Sequence, residues 1–269
     1  GKALSTLNNI LLTKNIPLLS CAQNTYSQIE KNKSAICFQP SSLTQCRMLG
    51  VYGGENFKND NIIIATSSAE KEQERANSFL KGIESSIPRN KIKRINLALE
   101  GRDAFTKLLG GTGTNTIVTL STDEDFVTTV FAAMDSSLDI YNFQVVGLPV
   151  WQYFESLDPQ TMEKFNTIIF SPDNIQYESF HAIKFREKFR QLLRTEPGDG
   201  AYLAFDAFMF SKNIFISGYT EKSKVNFLGL RGMYGFERQS EGAALENQYI
   251  NILKLERSEE HTSELQSPY

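Results

Sequence analysis

Short apolar runs alternate along this chain with longer amphipathic segments, and this alternation limits its fold more than any other feature. Runs rich in Ile, Val and Leu occupy residues 16–20, 35–39, 62–66, 92–97, 116–120, 143–148 and 167–170. Strands buried on both faces are continuously apolar, and strands that alternate with helices are typical of parallel sheets with crossover helices. The sequence therefore predicts an α/β fold built from doubly wound parallel sheets.

The segments between these runs have helical periodicity. One helical face carries Phe126, Val127, Val130, Phe131, Met134 and Leu138, and another carries Ala76, Phe79, Leu80, Ile83 and Ile87. Both faces are wide enough to cover a sheet. Residues 201–215 are apolar nearly all round, which predicts a buried helix. Residues 233–236 and 249–255 alternate with a period of two around Gly242, which predicts a β-hairpin.

Length and charge exclude several classes of protein. A chain of 269 residues has room for two modest domains with packed cores. It carries 28 basic and 31 acidic residues without a basic block, so a nucleic-acid partner is not expected. No apolar run approaches the roughly 18 residues of a membrane-spanning helix, so no membrane span is expected in this sequence.

The chain end and the cysteines contribute little to the fold prediction. Residues 257–269 have no periodicity and resemble the translation of a sequencing adapter, so they are treated as an artefactual tail. Cys21, Cys37 and Cys46 are odd in number and lack C-x-x-C spacing, so neither a zinc site nor a complete disulfide framework is predicted. Three buried thiols and a Cys21–Cys46 bridge both remain open.

Two of the predicted strands are followed by the same sequence motif. Residues 62–66 lead into Ser67, Ser68, Ala69 and Glu70, and residues 116–120 lead into Ser121, Thr122, Asp123 and Glu124. Each S-x-x-E segment predicts a capping box, in which the serine accepts from the N3 amide and the glutamate reaches back. Ligands of parallel α/β sheets bind beyond the carboxyl ends of strands, so these segments are predicted to line a ligand cleft. Their acidic residues favour an amine or hydroxyl ligand over a phosphate.

A third strand end carries the only tryptophan. Pro149 and Trp151 follow the strand at 143–148. An aromatic ring at this position caps the core in one interpretation and stacks on a ligand in the other. Both interpretations remain open.

Sequence patterns typical of catalysis are incomplete. Ser68 and Lys71 form an S-x-x-K motif, but the S-D-N and K-T-G elements that accompany it in penicillin-recognising enzymes are missing. His181 has no nucleophile motif to assist, and the glycines at 110–113 lie between a helix and a strand, where a turn is expected rather than a phosphate loop. The sequence therefore predicts no enzyme, no metal site and no cofactor.

The order of elements resembles the type I periplasmic binding proteins, near the branched-chain amino-acid receptors. The resemblance rests on the strand and loop at 16–24, on Glu196-Pro197 with Ala201, and on Phe205-Asp206-Ala207. The segments at 147–151, 157–158, 165–166, 235–236 and 247–249 are similar to a subgroup of envelope proteins that carry peptidoglycan-binding LysM repeats.

The resemblance implies a two-lobed fold and a location in the periplasm or cell envelope. Residues 1–40 and 173–228 would form a first lobe that lacks its opening strands, and residues 41–172 and 229–256 a second lobe. Hinges would lie near residues 39–40, 171–172 and 228–229. Family ligand contacts, made between the lobes, would fall on Ser20, Cys21, Ala22, Asn24, Ser67, Ser68, Ala69, Ser121, Thr122, Asp123, Pro149 and Trp151.

Two functions follow as hypotheses. The first is a non-enzymatic module that binds a small, polar, amino-acid-like solute, as in ABC transporter substrate-binding proteins. The second is a scaffold without a small ligand, which acts with peptidoglycan or with the envelope proteins that synthesise it. Burial of Ser67, Ser121 and Trp151 distinguishes them, because a receptor needs these side chains in an open polar cleft.

Overall fold

The computed structural model of the chain describes residues 2–14, 16–171, 174–217 and 224–255. These residues form two compact units. The first comprises Gly1–Ser42 and Pro172–Tyr249, and the second comprises Leu43–Ser171 and Ile250–Tyr269, within the described ranges. The helices are α1 (Lys2–Thr13), α2 (Tyr26–Ile29), α3 (Ser42–Asn56), α4 (Glu70–Ile83), α5 (Leu97–Thr106), α6 (Glu124–Asp135), α7 (Pro159–Lys164), α8 (Phe180–Leu193) and α9 (Asp199–Ser217).

The second unit is built on a six-stranded sheet. Its strands are β3 (Asn61–Thr66), β4 (Ile92–Asn96), β5 (Thr114–Val118), β6 (Asn142–Val146), β7 (Ile168–Ser171) and β11 (Asn251–Lys254). They lie in the order β11-β7-β6-β5-β3-β4, and all pairs are parallel except β11 with β7. The central strands β3 and β5 are buried. The sequence of β3 is nearly continuously apolar, as burial on both faces predicts, whereas β5 also buries the polar Asn115 and Thr116.

Helices α4 and α6 cover this sheet with the faces that the sequence predicts. The buried residues of α4 include Ala76, Phe79, Leu80 and Ile83, and those of α6 include Phe126, Val127, Val130, Phe131 and Met134. Both helices end before the last residue of the predicted stripe, so Ile87 and Leu138 pack against the same core from the following turns.

Helices α3 and α4 contact each other through glycines. A Cβ atom on Gly50 would lie 2.1 Å from the carbonyl oxygen of Phe79, and one on Gly82 would lie 2.0 Å from that of Arg47. Any larger side chain would separate the two backbones. The two glycines therefore set the distance between these helices.

The first unit contains a five-stranded sheet. Its strands are β1 (Leu18–Ser20), β2 (Ala35–Cys37), β8 (Lys224–Gly229), β9 (Gly232–Arg238) and β10 (Leu245–Asn247), in the order β1-β2-β10-β9-β8. Strands β1, β2 and β10 are parallel, whereas β9 runs antiparallel to both of its neighbours. Apolar clusters lie on both faces, one around Phe38 and Phe210 and the other around Ile29 and Ala35.

The predicted hairpin is wrong in one of its strands. Strand β9 does turn back near Gly242, but it pairs with β10 and with β8, a strand that the sequence analysis did not identify. The other predicted partner is β11, which pairs with β7 in the second unit. A period of two identifies a strand but not its neighbour, so the local pairing was inferred in error.

Two further expectations need correction. Residues 229–249 were assigned to the second lobe, with a hinge at 228–229, yet β9 and β10 belong to the sheet of the first unit, and the chain leaves that unit after Tyr249. Helix α9 is not buried all round. Phe208 is 68% exposed and Phe205 is 36% exposed, because only one face of α9 packs on the sheet.

The cysteines are free thiols. Cys21 is half-buried in the first unit, Cys37 is buried there, and Cys46 is buried in the second unit, so the Cys21–Cys46 bridge is not formed. Burial raises the pKa of Cys37 to about 11 and that of Cys46 to about 12. Both thiols are therefore protonated, and poorly nucleophilic, at neutral pH.

Candidate functional site

The polar strand ends of the second unit flank its topological switch point. Strands β3 and β5 are neighbours, with Ile64 level with Val118, but the chain leaves β3 toward β4 and leaves β5 toward β6. Crevices at such reversals bind ligands in open α/β sheets. The side of the sheet at which β3, β4, β5 and β6 end is called the carboxyl edge below. The loops that begin at Ser67 and Ser121 are neighbours there, as the sequence predicts.

The loop after β3 is held by a glutamate that the sequence analysis did not select. Helix α4 begins at Glu70 with Ala69 as its N-cap residue, so the predicted Ser67–Glu70 capping box is wrong. Glu72, and not Glu70, is the glutamate that binds Ser67. Its carboxylate accepts hydrogen bonds from the Ser67 amide (3.1 Å) and from the Ser67 hydroxyl, and Ser67 Oγ accepts from the Ala69 amide (3.1 Å).

Glu72 is a buried carboxyl group. Burial raises its pKa, opposed by the two hydrogen bonds from Ser67 and by the charge of Arg75, while Asp123 raises the pKa further. Arg75 donates from Nη1 to the carbonyl oxygen of Leu120 (2.9 Å), so α4 is tied to the end of β5. In the sequence, the only sign that Glu72 and Arg75 act at this edge is their position within the first turns of α4.

The loop after β5 also differs from the predicted capping box. Ser121 is only 2% exposed, and its Oγ accepts from the Asp123 amide (3.0 Å). Asp123 is the N-cap residue of α6, and its carboxylate accepts from the Phe126 amide (3.2 Å). Glu124 does not reach back to Ser121. It accepts instead from the Ser156 amide (2.6 Å), which joins this loop to the one after β6.

Trp151 belongs to the core. Its ring is fully buried and packs edge-to-face on Phe131, with ring centroids 5.9 Å apart. The indole N–H donates to the carbonyl oxygen of Ser121 (2.9 Å). A Cβ atom on Gly147 would lie 2.2 Å from the ring, so glycine makes room for the indole. Of the two interpretations that the sequence leaves open for Trp151, the structure shows the core residue, which packs between two strand ends.

Several predicted contact residues remain at the surface. Ser68, Ala69, Thr122 and Asp123 are exposed, and Pro149 is half-buried at the start of a short 3₁₀ helix. Ser68 Oγ accepts from Nδ2 of Asn96 (3.1 Å), which links the ends of β3 and β4. The second unit thus brings the predicted strand ends together. Ser67, Ser121 and Trp151, however, are engaged in hydrogen bonds within this unit.

The predicted contacts of the first unit lie in the loop after β1. Ser20 is buried, and its hydroxyl is hydrogen-bonded to that of Thr25 (2.7 Å). Burial raises the pKa of the half-buried Cys21. Ala22 and Asn24 are exposed. Asn24 has a φ of 54°, and its Oδ1 accepts from the Ser42 amide (3.3 Å), so it shapes the loop.

A second buried carboxylate holds the turn between β8 and β9. Asp206 of α9 is fully buried and accepts from the amides of Leu230 (2.6 Å) and Arg231 (2.9 Å) and from the Tyr234 hydroxyl (2.9 Å). Burial raises its pKa, and these three donors oppose the rise. Gly229 passes against this carboxylate, where a Cβ atom would lie 2.4 Å from it.

Two features are absent from the described residues. In these ranges no helix is both long and apolar enough to cross a bilayer. Nor do the same ranges contain a group of three or more His, Cys, Asp or Glu side chains placed to hold a metal ion.

Comparison with solved structures identifies the fold. A substrate-binding protein of an ABC transporter from Desulfitobacterium hafniense matches with a TM-score of 0.61 and 16% identity, covering 98% of this chain and 77% of that one. The leucine-binding protein LivK of Thermotoga maritima gives 0.53 and 12%, with coverages of 98% and 77%. The C-domain of LpoA from Haemophilus influenzae, a regulator of PBP1A, gives 0.53 and 10%, with coverages of 94% and 84%.

These similarities define the fold class. No protein-family model and no curated protein sequence matches the chain. The structural neighbours are type I periplasmic binding proteins, so the chain has that fold, and the predicted α/β fold class is confirmed.

Proposed function

We propose that this chain is a non-enzymatic interaction module of a bacterial cell envelope that acts with peptidoglycan or its synthesis machinery. In this proposal it uses the type I periplasmic-binding-protein fold as a scaffold. The periplasmic or envelope location, and the kinship with the LysM-bearing subgroup, are parts of the same proposal.

One observation carries the proposal. The buried indole of Trp151 bonds to Ser121, and so fills the space between the ends of β5 and β6. A solute that used Ser121 would have to displace a fully buried ring, which forfeits one hydrogen bond and the packing on Phe131. The Ser67 amide and hydroxyl both donate to Glu72, so they too are already engaged, which supports the scaffold role.

The names of the structural neighbours are compatible with this role. The LpoA C-domain is described as a regulator of PBP1A, and LivK is described as a leucine-binding protein. Identities of 10–16% carry only the fold, so the choice between these roles rests on the side chains of this chain.

The proposal is tested with the single tryptophan as a probe. Titration with the common amino acids and simple sugars should leave Trp151 emission unchanged and release no heat in calorimetry. Purified peptidoglycan sacculi, or an immobilised penicillin-binding synthase, should retain the protein. A solute that binds and shifts the emission of Trp151 would contradict the scaffold role.

Solute binding remains the second candidate because of the exposed polar groups at the switch point. Thr122 and Asp123 are exposed beside Ser68, and their hydroxyl and carboxylate groups suit an amine or a polyol. Saturable heat with one such solute, lost in Asp123→Ala but retained in a variant of the distant Asp139, would favour this alternative.

A further inference from the structure

Four loops form a continuous row along the carboxyl edge. They follow β4, β3, β5 and β6, which are neighbours in that order and run parallel. The loops and first helical turns concerned are residues 97–103, 67–73, 121–125 and 149–158. Strands lie about 4.8 Å apart, so the row is about 14 Å long from the end of β4 to the end of β6.

The row is strongly acidic. Its four segments contain nine acidic residues and only the basic residues Lys71 and Arg102, whereas the rest of the chain carries 22 acidic and 26 basic residues. Eight of the nine acidic residues form this surface, since Glu72 is buried beneath it. Arg75 adds one cation at this edge, but its guanidinium is engaged with the carbonyl oxygen of Leu120. The charge of the molecule is therefore segregated, and the negative part lies on this edge.

Two apolar side chains stand exposed at the ends of the row. Leu99, after β4, is 76% exposed, and Tyr153, after β6, is 82% exposed. Tyrosine is enriched at the centres of protein interfaces, because it offers a large rigid surface with one polar tip. Their exposure is compatible with contact by a partner without any rearrangement of the core.

The loops that carry these residues are fixed from beneath. The Trp151–Ser121 bond holds the 3₁₀ helix of Tyr153, and the Glu124–Ser156 bond holds the chain that follows it. Asn96 Oδ1 accepts from the Leu99 amide (3.3 Å). A surface that is already ordered loses little conformational entropy when a partner binds.

From this combination we propose that the carboxyl edge of the second unit is a docking surface for a basic segment of a partner protein. The segment carries Lys or Arg residues between two apolar side chains, one of which contacts Leu99 and the other Tyr153. The proposal rests on the proposed function, since it gives the scaffold a protein partner. Negative charge makes nucleic acid unsuitable, and anchors at both ends of the row favour a polypeptide over a small amine.

The test uses the full chain and a fluorescein-labelled decapeptide of alternating Lys and Leu, with a Glu–Leu decapeptide as the charge control. Fluorescence anisotropy should give saturable binding of the basic peptide only. Glu100 accepts from the Asn96 amide (2.8 Å) and Asp123 from the Phe126 amide. The variant E100Q/D123N/E155Q keeps an acceptor oxygen at both positions while removing three charges. It should weaken binding at least about ten-fold and flatten the salt dependence.

Matched variants separate this surface from the rest of the molecule. Leu99→Ala with Tyr153→Ala should weaken binding by a similar factor at all salt concentrations. Asp139→Asn with Ile140→Ala removes an exposed acid and an exposed apolar residue (72% exposed) just before β6, at the opposite edge, and should leave affinity unchanged.

Other outcomes would overturn the proposal. Equal affinity of the acidic peptide, equal loss in the opposite-edge variant, or unchanged affinity in both carboxyl-edge variants would each do so. Displacement of the peptide by cadaverine at similar concentration would instead identify a small-amine site. These results are distinguishable from failure of the scaffold role, which is measured by solute titration of Trp151 without any peptide.

Discussion

At the scale of single residues, Trp151 shows how one packing contact decides between two functions. Its position after a strand is compatible with a ligand contact and with a core residue. Gly147 removes the ambiguity, because the indole occupies the space in which a side chain at 147 would lie. Gly147 is only four positions before Trp151 in the sequence, but its contact with the indole ring is visible only in the structure.

We expect Gly147→Ala to destabilise the second unit. The new methyl group would have to displace the indole, and overpacking of this kind costs about 1–3 kcal/mol. Chemical denaturation should give a lower free energy of unfolding, and Trp151 emission should shift to longer wavelength. Gly111→Ala, where nothing lies within 4 Å of the new Cβ atom, is the matched control and should change neither quantity.

We expect Tyr234→Phe to alter the pH dependence of stability. The pKa of Asp206 is raised on folding above its ordinary value of 3.8, so its contribution to stability is greatest when it is protonated and falls as the pH rises through the folded-state pKa. Loss of the Tyr234 hydroxyl removes a donor to the carboxylate and raises this pKa further.

The destabilisation by Tyr234→Phe should therefore be larger at pH 7 than in mild acid, by about 1–3 kcal/mol for a hydrogen bond to a charged group. Denaturation curves across this pH range measure it. Tyr153→Phe, at an exposed position, should parallel the wild type at every pH. A constant penalty for Tyr234→Phe would show that Asp206 keeps one protonation state throughout.

At the scale of secondary-structure elements, the contact between α3 and α4 depends on two glycines. Gly50→Ala should be strongly destabilising, since the new Cβ atom would lie 2.1 Å from a backbone carbonyl oxygen that cannot rotate away. A loss of about 3 kcal/mol or more is expected in chemical denaturation. Gly200→Ala in α9, with open space around it, should instead be neutral or stabilise the chain by up to about 1 kcal/mol.

Elements were predictable to different degrees for physical reasons. Each of the seven apolar runs of the sequence overlaps a strand. The signal is clearest in β3 and β7, where burial on both faces leaves a continuous apolar signature. Strand β8 escaped notice because Lys224 and Asn226 interrupt its apolar residues on the exposed face. The capping prediction failed at Ser67 because two glutamates, Glu70 and Glu72, follow it closely in the sequence. Which of them binds Ser67 depends on the residue at which α4 begins.

At the scale of the whole molecule, the two units have separate apolar cores. The core around β3 and β5 contains residues of the second unit only, and the clusters around Phe38 and Ile29 contain residues of the first. Trp151 reports on the second unit, whereas far-ultraviolet circular dichroism reports on both. We expect the two probes to give different denaturation midpoints, since separate cores need not unfold together.

Variants assign the two transitions. Gly50→Ala should lower the midpoint measured by Trp151 emission, and Tyr234→Phe should lower only the midpoint of the remaining dichroism change. A single transition, moved equally by both variants and coincident for both probes, would show that the units unfold as one.

Because the chain crosses between the units near residues 42, 171 and 249, neither unit is continuous in sequence. Strand β2 pairs with β10, which brings Ile36 beside Leu245, and β7 pairs with β11. During synthesis on the ribosome, β2 cannot pair with β10, nor β7 with β11, until residues 245–254 have emerged. We therefore expect folding of one unit after the other during synthesis to be disfavoured, and strands made early to be exposed to aggregation until their partners appear.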